Sequence, residues 1–214
     1  MDNLLEFLQY LFKLDWISEH PLGLIFVILI VFAETGLFVG FFLPGDSLIF
    51  VTGMAFAGNR ETLIGFFPMM LLVILAGVLG NMVGYWFGKK SGPLLFKREN
   101  SFFFRRSHLL AAKEFYDKRG AVTIFIARFL PIIRTFAPIV AGIVQMPYRN
   151  FMLYNILGCA AWIFSFMSLG YFLGERYPAL RESIEYVILF LIGITTIPIV
   201  YRMVRRNKQT QQSN

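Results

Sequence analysis

The chain has 214 residues, of which 57% are hydrophobic and 15% charged, with a formal net charge of +7. Soluble domains average about 45–50% apolar and about 25% charged residues, so this composition excludes an ordinary water-soluble globule and points to lipid as the solvent. A single cysteine, Cys159, excludes an internal disulfide and a Cys-rich metal site.

In chain order, residues 1–19 carry Leu4, Leu5, Leu8, Leu11 and Phe12 at helical spacing, interrupted by Asp2, Glu6 and Asp15. They read as an N-terminal amphipathic interfacial helix, or equally as an ordinary helix packed on the protein, rather than a cleaved signal peptide, which would start with a basic region. Residues 20–57 are largely apolar but broken by Glu34 and by Pro44-Gly45-Asp46. Broken backbone at membrane depth survives only against protein or a watery cavity. The segment is therefore predicted to be a re-entrant hairpin opening to the outside, with two full crossings as the main alternative. Residues 64–88 contain no charged side chain and read as a transmembrane helix.

Residues 89–119 are rich in Lys and Arg, as is the tail, 202–214. The positive-inside rule places both in the cytoplasm. Basic charge beside membrane spans speaks for orientation and anionic lipid, not nucleic acid. Residues 120–146, broken by Pro131 and Pro138, read as a second re-entrant hairpin. Residues 151–174 and 184–201 read as further transmembrane helices.

The halves echo one another. Phe42-Leu43-Pro44 recurs as Phe129-Leu130-Pro131, and Gly84-Tyr85-Trp86-Phe87-Gly88 as Gly170-Tyr171-Phe172-Leu173-Gly174. A broken hairpin plus one full crossing places its copy upside down. The expected fold is thus an all-α polytopic membrane protein: an inverted repeat over 20–88 and 120–174, with an additional C-terminal helix. Such folds hold their substrate near the midplane, where the broken segments meet.

Four costly charges sit in those segments: Glu34, Asp46, Arg128 and Arg134. An ionisable group within the bilayer costs about 2.5–3.5 kcal/mol or more unless paired or hydrated, which makes each a functional candidate. Arginine keeps its charge and offers bidentate donors to phosphate, so Arg128 and Arg134 are assigned to a phosphate headgroup. On a continuous helix they would not share a face, but a break at Pro131 lets them converge. Carboxylates balanced between desolvation and a guanidinium can take up and release a proton, so Glu34 and Asp46 are assigned to proton coupling. Mutual neutralisation that merely fixes the hairpins is the competing account. Gly77, Gly80, Gly84 and Gly88 read as a close helix-approach face, and Tyr85, Trp86 and Tyr171 as interfacial anchors.

Glu34 with Phe42-Leu43-Pro44-Gly45-Asp46, then Gly80-Asn81-Met82-Val83-Gly84-Tyr85, then Arg128-Phe129-Leu130-Pro131-Ile132-Ile133-Arg134 together resemble the DedA family. Within that family the chain resembles the enterobacterial YqjA and YghB type. The resemblance covers about residues 20–200. It implies opposed re-entrant hairpins, a multi-pass protein of the bacterial inner membrane, and importance of the acidic and arginine pairs. It also implies proton-motive-force-dependent movement of undecaprenyl phosphate or a phospholipid. Lipids and protons are the expected partners, with no cofactor and no metal, and the oligomeric state stays open. The alternative function is a cation/proton antiporter or an osmosensing protein. An enzyme is not expected: His20 and His108 lie outside the apolar spans, and no G-x-S-x-G occurs.

Overall fold

The computed structural model describes residues 14–36, 45–57, 62–97, 114, 116, 118 and 120–182. Among these, the regular elements are all helical: α1 (Leu14–Glu19), α2 (Pro21–Gly36), α3 (Gly45–Phe56), α4 (Phe66–Lys97), α5 (Val122–Ala127), α6 (Pro131–Ile143), α7 (Tyr148–Arg176) and α8 (Pro178–Glu182). The predicted crossing 184–201, the basic tail, Pro44 and most of the basic segment lie outside the described residues, as does the helix proposed for the N-terminus before Leu14.

Among the described residues two helices are long and apolar enough to cross a bilayer: the stretch Phe66–Gly92 of α4, and α7. Their outer faces carry an apolar surface no core requires: Leu71, Leu75, Leu79 and Val83 on α4, and Leu153, Ile156, Leu157 and Phe164 on α7 are exposed. Recurring four residues apart on α4, and three, four or seven apart on α7, they form stripes suited to acyl chains. In contrast, α2, α3 and α6 have 16, 12 and 13 residues. At 1.5 Å per residue each falls short of the roughly 30 Å hydrocarbon thickness.

The packing is reciprocal. Within each half the first short helix lies on its own long helix, α2 on α4 and α5 on α7. The second short helix crosses over: α3 packs on α7, and α6 on α4. Glycines set both crossovers. A Cβ on Gly53 or Gly170 would strike the carbonyl of Met167 or Phe50 across α3 and α7. A Cβ on Gly88 or Gly142 would strike that of Ile139 or Tyr85 across α4 and α6. Backbones meet directly at these points, as they do where small residues mediate helix contact in lipid.

The core divides accordingly. One cluster joins α1, α2, α3, α4 and α7 around Val27, Leu48, Met54, Met69 and Met167. A second joins α4, α5, α6 and α7 around Tyr85, Ile124, Ala137, Ala141 and Phe151. Tyr85 is fully buried within it, stacked on Phe151 at 4.5 Å and donating its hydroxyl to Met146 O at 2.6 Å. Its position corrects the reading of an interfacial anchor: a buried tyrosine hydroxyl needs a partner, and a backbone carbonyl supplies it. Trp86 beside it is exposed. The helix α1 packs on α2 and α3, with Ile17 and Ser18 fully buried.

A buried charge cluster at the helix breaks

The break between α5 and α6 follows from Pro131. Proline pushes the preceding residue out of the helical region, and Leu130 is extended at φ −109° and ψ 107°. Arg128 still has helical dihedrals at the end of α5, whereas Arg134 lies in the first turns of α6. Pro138, within α6, lacks the N–H that would bond the Arg134 carbonyl four residues back. Glu34 closes α2, and Asp46 is the second residue of α3, where a carboxylate suits the positive end of the helix dipole.

These ends converge. Arg134 donates from Nη2 to Glu34 Oε1 and from Nη1 to Asp46 Oδ1. One guanidinium of α6 thus ties the end of α2 to the start of α3. Glu34 is 1% exposed and Arg134 9%, whereas the Asp46 side chain is 15% exposed. Gly45 stands so close to Glu34 that a Cβ there would run into Oε2. The carboxylate is pressed against backbone that only glycine provides.

Arg128 is different. It is 4% exposed, within electrostatic reach of Glu34, Asp46 and Arg134, but Nε and Nη2 have no hydrogen-bond partner among the described residues. Buried guanidinium nitrogens left unbonded are expensive. Space for the group comes from Gly77 of α4, where a Cβ would lie 2.9 Å from Nη2. Gly77 therefore makes room for a cation rather than for a helix. Its sequence neighbours do serve helix approach: Gly80 meets α2 at Thr35 and Gly36, and Gly84 faces Pro138 and Ile139 of α6.

The sequence reading missed three contributors. Trp162, 1% exposed on α7, has the Arg128 guanidinium carbon 4.9 Å and the Arg134 carbon 4.8 Å from its ring centroid. Cation–π contacts of this kind contribute about 2 kcal/mol or more when desolvated. Asn81 of α4 donates to Asn155 of α7 at 2.6 Å, and Asn155 donates to Val78 O at 3.2 Å. An uncharged amide or a tryptophan in an apolar run carries no burial penalty large enough to single it out from sequence. Gly77 and Trp162 both lie near the midpoint of the apolar helices that hold them, so the cluster sits halfway along both. Among the described residues no three His, Cys, Asp or Glu side chains come together as a metal site.

The comparisons agree on the family. The VTT domain model matches residues 43–172. The chain belongs to the VTT-domain, or DedA, family. It is 42% identical over 180 residues to Protein DedA of Escherichia coli strain K12, covering 84% of this chain and 81% of that one. A membrane protein of Mycobacterium tuberculosis strain H37Rv is 36% identical over 192 residues, covering 88% and 83%. Undecaprenyl phosphate transporter A of Bacillus subtilis strain 168 is 30% identical over 141 residues, covering 65% and 67%. No solved structure matches the chain. As a DedA-family chain with two bilayer-length apolar helices, it is a membrane protein.

Proposed function

We propose that this protein is a proton-coupled lipid transporter of the bacterial inner membrane, moving an anionic headgroup, undecaprenyl phosphate or a phospholipid, between leaflets. The observation that carries the reading is Arg128, a buried guanidinium with two unbonded nitrogens beside a second guanidinium already held by two acids. Phosphate satisfies such donors bidentately. The name of the Bacillus subtilis relative lends support to a phosphorylated polyprenol as cargo.

The crossover packing fits a pair of re-entrant hairpins inserted in opposite senses, each sealed against the other half's spanning helix. In this scheme a phosphate first meets Arg128. Proton uptake by Glu34 or Asp46 loosens the clamp on Arg134, which then joins Arg128 on the headgroup. Loss of the proton on the other side restores the clamp and expels the anion. Such a cycle uses the proton-motive force without a further cofactor. Antiport of a cation has less to support it, since both acids already accept from Arg134 and a second guanidinium lies near.

The test is purified protein in liposomes with fluorescent undecaprenyl phosphate or phospholipid, following transfer between leaflets with and without an imposed pH gradient. Transfer accelerated by the gradient and lost in Arg128→Gln is the expected outcome. Transfer rates equal to those of protein-free liposomes under both conditions would exclude the reading.

A further inference from the structure

We infer that Trp162 is a positioning residue of this anion site, an aromatic platform that presents the Arg128 and Arg134 guanidiniums together. The inference rests on the anion-transport reading above and adds a residue to it. Two like charges placed against one another repel, and among the described residues the acids near Arg128 are ion-paired with Arg134 instead. Yet both guanidinium carbons lie within 5 Å of one indole centroid. An indole face attracts a cation without occupying any of its N–H donors. The Arg128 Nε and Nη2 positions thus stay available to an incoming oxyanion while the side chain is fixed. A carboxylate in that place would fix the arginine equally well but use up the donors. Trp162 belongs to α7, whereas Arg128 follows α5 and Arg134 lies on α6, so the platform stands on a long helix apart from the broken segments.

The experiment uses the full chain in detergent and in liposomes. With Trp16 and Trp86 changed to Phe, Trp162 is the sole remaining indole of the three. Removing the cation by Arg128→Gln should alter its emission before any ligand is added; unchanged emission in both Arg128→Gln and Arg134→Gln would overturn the stacking. Calorimetry with farnesyl phosphate, and with farnesol as the uncharged control, then reads the site. Binding of the phosphate alone is expected. Trp162→Leu should weaken it by about tenfold or more, and Trp162→Phe by less, following the loss of the indole's quadrupole. In transport assays the Leu variant should raise the apparent KM far more than it lowers the maximal rate. Melting temperatures separate this from a packing role: a filler would lose binding only in proportion to stability, with Phe and Leu alike. If wild-type protein ignores farnesyl phosphate, the transport reading falls. If wild type binds it and Trp162→Leu binds it equally, the positioning role alone falls.

Discussion

Glu34 of α2 and Arg134 of α6, a hundred residues apart in the chain, form a buried ion pair. Asp46 accepts from the same guanidinium, so removing the arginine strands two acids while removing one acid leaves the other in place. Breaking a buried pair from one side costs about 3–5 kcal/mol because the remaining charge is uncompensated. Arg134→Gln should therefore lower thermal stability in detergent more than Glu34→Gln. The double substitution should recover part of that loss while leaving transport abolished. Additive melting shifts in the three variants would contradict the pairing.

Arg128→Lys keeps the charge but not the planar fork or its stacking surface. We expect the variant to accumulate and melt close to wild type, since lysine makes no demand for acids that arginine did not. Headgroup transfer should fall at least about tenfold, the scale of one lost charge-assisted hydrogen bond. Wild-type transfer by this variant would show that charge alone suffices at position 128.

Gly77→Ala tests the space beside Arg128. Its Cβ would lie 2.9 Å from Nη2 and 3.6 Å from the Cys159 sulfur, so the guanidinium must give way. Helix propensity favours alanine by about 0.8–1 kcal/mol. The expected result is a folded protein of near-normal melting temperature with weakened anion binding, measured by calorimetry. Gly80→Ala should behave in the opposite way: the Cβ would be driven into Thr35 and the α2 backbone, reducing stability.

Asn155→Leu removes the acceptor for Asn81 and the donor to Val78 O. Leaving buried polar groups unbonded costs about 1–3 kcal/mol each. A corresponding fall in melting temperature is expected, with Asn81→Leu/Asn155→Leu less unstable than the single variants predict by addition. Double-mutant analysis of the melts measures that coupling.

The four membrane charges were legible because burying charge is costly enough to stand out in an apolar sequence, and each fell beside a Pro or Gly break. Which arginine would take the acids was not legible. Arg128 and Arg134 are separated by an extended residue at Leu130, and spacing alone does not orient side chains across such a break. Nor could the apolar pattern show that α3 and α6 would each desert their own half. Short helices of similar composition fit either neighbour, and the glycine carbonyl contacts that decide the choice exist only once the backbones are side by side. Trp162 was invisible for a related reason: as a large hydrophobe in a spanning helix it fits the core whether or not a cation rests on it.

That desertion has a consequence for biogenesis. When α3 leaves the ribosome its resting surface, α7, has yet to be synthesised, and α4, α5 and α6 must come first. Glu34 and Asp46 are therefore synthesised well before Arg134, the arginine that pairs with both. Neither half made alone possesses the long helix on which its own second short helix chiefly packs. Split between α4 and α5, the two fragments should be degraded when expressed singly and rescued when expressed together.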